Sequence, residues 1–422
     1  MKQSSQPQAP GTHSQADATA AFISAHRHDD VRALALQAHG LSGVDVPYAL
    51  DQIAGWQTAR RKLPSWAARD GVVYPPHLSM EQCSSEATAR YKAGVASALL
   101  RRLGLDAHSM ADLTGGFGVD FSFLAPLFSQ ATYVERVEAL CHTATHNMAA
   151  LGLAHARVVC AQAEDYLRAM QPATMIYLDP ARRDTHGGRT VAMAQCQPDA
   201  QALLPLLLQK AQVVLVKLSP MLDWHKALAD MEGHVAEVHI VATGGECKEL
   251  LLALTPGAHA AAEVTCVNDE QRFAFSADGG CAAPVPLAAP LLPGGRKDDV
   301  PARPLFLYEP NASLMKGGCF AALCQAYGVR GIGMNSHLYL SEERVEAWPG
   351  RRFEVQAVCT MNRQALKRCL QGVEQASVAV RNFPLTAPQL RAKLRLKDGA
   401  SHYVFATTDA SGTHVILLCK RF

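Results

Sequence analysis

Over residues 18–103, apolar side chains recur three and four positions apart, as in Val31-Arg32-Ala33-Leu34-Ala35-Leu36-Gln37-Ala38 and Val46-Pro47-Tyr48-Ala49-Leu50-Asp51-Gln52-Ile53. That spacing lines one face of a helix and predicts an all-helical leading region. Within it, Ser84-Ser85-Glu86 offers a hydroxyl and an acid suited to open a helix that continues through Ala87-Thr88-Ala89-Arg90-Tyr91-Lys92-Ala93. After Leu103 short apolar runs alternate with helical stretches, the pattern of βαβ units. Strands are expected over 109–113, 131–135, 157–161, 175–179, 213–218, 235–242 and 249–254. The last two are separated only by Thr243-Gly244-Gly245-Glu246-Cys247-Lys248. Six residues cannot hold a helical crossover, so these strands form an antiparallel hairpin.

A seven-stranded sheet, parallel except for a final hairpin strand, is the class I methyltransferase arrangement; a plain dinucleotide-binding sheet lacks the closing hairpin. The fold class expected is therefore α/β, a Rossmann-like doubly wound core behind a helical domain. From 258 to 304 the chain turns rich in Ala, Pro, Gly and Asp, with 290–299 read as an exposed loop and a boundary nearby. Beyond it come strand 305–308, helix 312–327 and strand 337–340. Strand 353–358, helix 363–370, strand 377–381, a helix after Thr386 with Pro388 in its first turn, and strands 402–406 and 414–418 around Asp409-Ala410-Ser411-Gly412 make a last α+β segment. The expected organisation is a tail over 1–17, a helical domain over 18–104, the α/β core over 105–257, and α+β domains over 258–346 and 347–422.

Composition narrows the class. A chain of 422 residues exceeds one ordinary core, and 49% apolar with 18% charged residues suits several buried cores. No run of about 18 apolar residues suggests a membrane span. The first ten residues are polar, rich in Gln, Ser and Pro, and lack the apolar centre of a secretory signal, so the cytoplasm is the expected compartment. Twelve cysteines contain no Cys-x-x-Cys pair and several sit in apolar runs, which reads as buried thiols, with no metal site. Net charge is +2, but 351–422 holds twelve Lys or Arg against four acids, a balance of +8, leaving −6 for the rest.

The strongest chemical signal is Ala111-Asp112-Leu113-Thr114-Gly115-Gly116-Phe117-Gly118-Val119-Asp120, between the first strand and a helix. Glycines there let backbone approach a ligand. A nicotinamide-binding loop needs a third glycine three positions after Gly118, where Phe121 stands. Asp112, Thr114, Gly115, Gly116, Phe117 and Gly118 are accordingly read as holding S-adenosylmethionine, with Asp112 at its charged methionine end. Glu135, closing the second strand, can accept both ribose hydroxyls. After the third strand, Gln162 and Ala163 stand where an adenine contact belongs; Glu164 and Asp165 read equally as surface charges. The fourth strand ends Leu178-Asp179-Pro180-Ala181-Arg182-Arg183, which aims polar groups at the crevice beyond the strand ends. Asp179, Pro180 and Arg182 are the catalytic candidates: Asp179 can accept a hydrogen bond from an acceptor N–H and orient its lone pair, or else simply cap a turn.

Several stretches resemble bacterial class I S-adenosylmethionine-dependent methyltransferases that carry a ferredoxin-like insert and a C-terminal THUMP-like domain. They are Tyr74-Pro75-Pro76-His77-Leu78-Ser79-Met80-Glu81-Gln82-Cys83-Ser84-Ser85-Glu86, the Gly115–Gly118 loop, Leu178-Asp179-Pro180-Ala181-Arg182-Arg183, Tyr308-Glu309-Pro310-Asn311-Ala312-Ser313, Asn335-Ser336-His337-Leu338-Tyr339 and Arg381-Asn382-Phe383-Pro384. The resemblance runs from about Arg60 to the C-terminus. It implies that 258–346 is the ferredoxin-like and 347–422 the THUMP-like domain and, by analogy with THUMP-bearing enzymes, an RNA substrate.

Two departures restrict the chemistry. Amino methylases of bases typically place a second proline and a stacking ring where this chain has Ala181 and Arg182. Uracil-C5 methylases with a similar core place a nucleophilic cysteine after the fifth strand, where Lys217-Leu218-Ser219-Pro220 offers none. A base nitrogen of tRNA or rRNA is thus the leading acceptor; a small-molecule or protein methyltransferase, or a silent RNA-binding protein on this scaffold, are the alternatives. Arg391, Lys393, Arg395 and Lys397 read either as a phosphate-binding stretch or as a solvated helix end. Asn335 and His337 read either as a small polar site or as a structural histidine.

Overall fold

The computed structural model describes residues 15–37, 41–75, 77–182, 193–279, 283–287, 291–292, 298–301 and 303–422. Most of the expected tail, Arg183 and most of the expected 290–299 loop lie outside them, as does the side chain of Arg182. The chain divides into two compact units, residues 1–190 with 194–216 and residues 191–193 with 217–422.

The first unit opens with helices α1 (Gln15–His26), α2 (Val31–Gln37), α3 (Val46–Lys62), α4 (Pro64–Ala67), α5 (His77–Gln82) and α6 (Glu86–Arg102). Ser85 caps α6 by accepting the Thr88 N–H at 3.2 Å. Glu86 instead is buried, accepting from Ser65 N at 2.8 Å and from Arg90. There follow β1 (Ser109–Asp112), α7 (Val119–Leu124), β2 (Gln130–Glu135), α8 (Glu138–Ala150), β3 (Ala156–Cys160), α9 (Ala163–Ala169), β4 (Ala173–Leu178), α10 (Ala200–Lys210) and β5 (Ala211–Leu218), whose last two residues open the second unit. Strand order is β5-β4-β1-β2-β3, parallel throughout. Near-continuous apolar runs such as Met175-Ile176-Tyr177-Leu178 are buried because helices cover both faces. In register, Asp112 stands opposite Tyr133 on one side and Tyr177 on the other, so the three strand ends lie within two residues of one another.

The second unit continues with α11 (Trp224–Asp230) and the expected antiparallel hairpin of β6 (Val235–Thr243) and β7 (Glu246–Leu254), turning at Gly244 and Gly245, both at positive φ. All seven expected core strands are present. Two more, β8 (Glu263–Asn268) and β9 (Gln271–Ser276), extend from β6, β8 parallel to it and β9 antiparallel to β8. Their short alternating pattern was masked by the Ala- and Asp-rich composition around them.

A second sheet is formed by β10 (Phe306–Pro310), β11 (Tyr339–Ser341), β12 (Gly350–Thr360), β13 (Ser377–Val380), β14 (Tyr403–Thr408) and β15 (His414–Arg421), in the order β11-β10-β12-β15-β14-β13. The single helix expected over 312–327 is two, α12 (Ala312–Gly317) and α13 (Phe320–Tyr327), because Gly318 takes a left-handed φ of 67° and caps the first. The strand expected from 337 begins at Tyr339, since His337 has φ 49°. Helices α14 (Arg363–Cys369) and α15 (Ala387–Leu394) pack beside this sheet, α15 opening on a capping box between Thr386 and Gln389. Strand β10 pairs with β12, so backbone hydrogen bonds run across the expected divide at 346/347.

Candidate active site

The turn from β1 to α7 is held from both neighbouring strands. Leu113 N–H donates to Tyr177 O at 3.0 Å and Gly115 N–H to Val134 O at 2.8 Å. The Tyr133 hydroxyl donates to Gly116 O, and Gly116 N–H donates to Glu135 Oε2 at 2.9 Å. Glu135 Oε1 takes Val137 N–H at 2.9 Å, so one carboxylate fixes both the glycine loop and the turn after β2. The glycines are sterically required: a Cβ on Gly115 would stand 2.2 Å from Tyr133 Cε2, and one on Gly118, at φ 84°, 2.7 Å from Met148 Cε. Around Gly116, by contrast, the space is open. Phe117 turns inward and packs on Trp66 at 4.9 Å, so its side chain belongs to the core and only its backbone faces the loop.

Asp112 is 1% exposed, and its Oδ1 accepts from Thr114 N at 2.9 Å and from Thr114 Oγ1 at 3.3 Å. The same hydroxyl accepts the Asp179 N–H at 2.6 Å, joining the ends of β1 and β4. Burial, with Asp120 and Asp179 close by, pushes the Asp112 carboxyl well above the usual carboxylate range, against the pull of the Thr114 N–H. Asp179 is half-buried and Pro180 buried. Gln162 is exposed at the N-cap of α9, followed by buried Ala163, and Asp165 is occupied by Arg168 at 2.9 Å.

A buried cluster beneath the loop was missed by the sequence reading. Lys92 on α6 is fully buried and pairs with Asp120 at 3.1 Å; Asp120 Oδ2 accepts from Ser84 Oγ at 2.8 Å and Tyr177 Oη at 2.7 Å. The signal was available: Lys92 shares the stripe of Ala89, Ala96 and Leu99, the inward face of α6.

The expected basic stretch does not form one row. Residues two apart on a helix point to nearly opposite sides, so Arg391 and Lys393 diverge on α15. Arg391 pairs with Asp398 at 3.1 Å, while Lys393, Arg395 and Lys397 are exposed. Among the described residues no group of three or more His, Cys, Asp or Glu is arranged to hold a metal ion, and no helix is long and apolar enough to cross a membrane. The eleven described cysteines are free, eight of them buried.

A ferredoxin-like domain family matches residues 306–349 and a THUMP domain-like family residues 350–421. A crystal structure from Porphyromonas gingivalis W83, described as a candidate methyltransferase, is 30% identical over 96% of this chain and 97% of its own, with a TM-score of 0.79. An O-methyltransferase from Bacillus cereus, solved with SAH, covers 47% of this chain and 90% of its own at 14% identity and a TM-score of 0.33, too remote to argue from. No curated protein matches.

Proposed function

The chain belongs to the family of the Porphyromonas gingivalis candidate methyltransferase, and from that premise we propose that it transfers a methyl group from S-adenosylmethionine to a base nitrogen of tRNA or rRNA. The observation that carries this reading is the acidic surround of the glycine loop. Asp112, buried beside Asp120 and Asp179, is set in a field that favours a cationic ligand and opposes the pyrophosphate of a dinucleotide. S-adenosylmethionine brings an ammonium group and a sulfonium carrying an electrophilic methyl, so the residues present fit it.

In this reading Asp112 and Thr114 hold the methionine end, the backbone from Gly115 to Gly118 lies against the ligand, Glu135 receives the ribose hydroxyls, and Gln162 with Ala163 borders the adenine. Asp179, followed by Pro180, accepts a hydrogen bond from the acceptor N–H and so orients the nitrogen lone pair toward the methyl group. Arg182 grips an anionic group beside the acceptor. The THUMP domain-like match and the +8 balance of 351–422 support RNA as the acceptor, with Lys393, Arg395 and Lys397 as exposed phosphate contacts and Arg391 at their side. The test is calorimetry with S-adenosylhomocysteine: wild type should bind and Glu135→Ala bind more weakly. Equal affinity for the two proteins would remove Glu135 from the site.

A further inference from the structure

Three sequence motifs that methyl transfer leaves unused, those around Glu309, His337 and Arg381, carry a charge arrangement of their own in the second unit. Glu309 on β10 stands opposite Arg351 on β12 and is 3% exposed. One of its oxygens accepts from Arg351 Nε at 2.5 Å and from Nη2 of the same guanidinium; the other accepts from Arg381 Nη2 at 2.8 Å. Two guanidiniums thus share one carboxylate, leaving a net positive charge, and their side chains stay 44% and 40% exposed. A triad serving only to neutralise Glu309 would need one arginine.

Two buried polar atoms here have no hydrogen-bond partner: Arg381 Nε and His337 Nδ1. Eight buried side-chain N and O atoms among the described residues lack a hydrogen-bond partner, and these two belong to the motifs around the Glu309 triad. Burial, and then the charge of Arg381, hold the His337 imidazole below its ordinary pKa, so the ring is neutral and can carry its proton on Nδ1 as a donor. Both His337 and Asn382, the neighbour of Arg381, adopt positive φ, at 49° and 46°. Non-glycine residues held there cluster where a site fixes them.

We propose that Arg351, Arg381 and His337 form an oxyanion site that takes a phosphate group, with Arg381 Nε–H and His337 Nδ1–H as its buried donors. A tetrahedral anion carries enough acceptor oxygens for the guanidinium N–H groups that Glu309 leaves free and for the two orphaned donors. The phosphate belongs either to a phosphodiester of RNA or to a free phosphate monoester. The site stands whether or not the chain transfers methyl groups.

The experiment titrates the full chain with inorganic phosphate while following the His337 ring resonances. Saturable shifts are expected, weakened about tenfold or more in Arg381→Gln and likewise in Arg381→Lys, which keeps the charge but lacks the fork. Should the arginine variants unfold, His337→Phe supplies an independent arm, read by calorimetry because its reporter ring is gone, and should weaken phosphate binding several-fold. Competition by a short oligoribonucleotide assigns the site to RNA; its failure assigns it to a free phosphate. Ring signals indifferent to phosphate, or folded Arg381→Lys and His337→Phe proteins with wild-type affinity, would reduce the cluster to structural support for Glu309.

Discussion

The backbone N–H of Asp179 donates to the hydroxyl of Thr114 at 2.6 Å, while that hydroxyl and the Thr114 N–H both turn to Asp112. One threonine therefore sets the spacing between the acid at the end of β1 and the acid at the end of β4. Thr114→Val keeps the volume and removes the hydroxyl, leaving the half-buried Asp179 N–H without its acceptor. Thermal and denaturant unfolding should show a loss of about 1–3 kcal/mol, with Thr114→Ser close to wild type. Equal stability of the valine and serine variants would show that the link does not hold the two strand ends.

The glycines of the loop should rank by what surrounds them. Gly115→Ala drives a methyl to 2.2 Å from Tyr133 Cε2 and is expected to cost about 1–3 kcal/mol or more by overpacking. Gly116→Ala meets only Thr114 O at 3.8 Å and incurs about 1–2 kcal/mol for its φ of 54°. Melting curves in the reverse order would contradict the packing described for Tyr133.

Asp112 gives a pH signature with a definite sign. Its folded pKa is raised, so below the unfolded carboxylate value of about 4 it contributes no difference in stability. As pH rises through the window up to the folded value, the unliganded fold is progressively disfavoured. A cationic ligand prefers the ionised carboxylate, so S-adenosylmethionine affinity should rise with pH over the same window and binding should release a proton. Calorimetry in buffers of different ionisation enthalpy measures that release. Asp112→Asn should abolish it, and an unchanged release would place the proton elsewhere.

The pair of Lys92 and Asp120, at 3.1 Å and almost wholly buried, predicts a large effect from a nearly isosteric change. Lys92→Met leaves a buried carboxylate without its cation and should lower unfolding free energy by about 3–5 kcal/mol in urea. A loss under about 1 kcal/mol would mean that the pair contributes no more than a surface ion pair.

Periodicity carried the core because parallel strands buried on both faces read as unbroken apolar runs, and the six-residue link ending at Lys248 admitted only a hairpin. It failed where conformation turns on one residue. Gly318 splits a helix whose apolar spacing runs straight through it, and positive φ at His337 delays a strand whose side chains alternate correctly. The tight turn of the loop was legible in its glycines, but Phe117 was not, since a ring there looks the same in sequence whether it faces outward or Trp66. Lys92 and Asp120 escaped notice because a buried charge pair is written across 28 residues and neither member is unusual alone. The stretch Arg391-Ala392-Lys393-Leu394-Arg395 alternates like a strand, yet it lies on α15 and at its end.

The central claim, methyl transfer to RNA through the Asp179 strand end, is tested most directly by following labelled methyl groups from S-adenosylmethionine into fractionated cellular RNA with wild type and Asp179→Ala. Label should enter one RNA fraction with the wild type and fall by roughly 10² or more in the variant, whose S-adenosylmethionine affinity stays within a few-fold. Absence of label in every fraction, or full labelling by Asp179→Ala, would contradict the account.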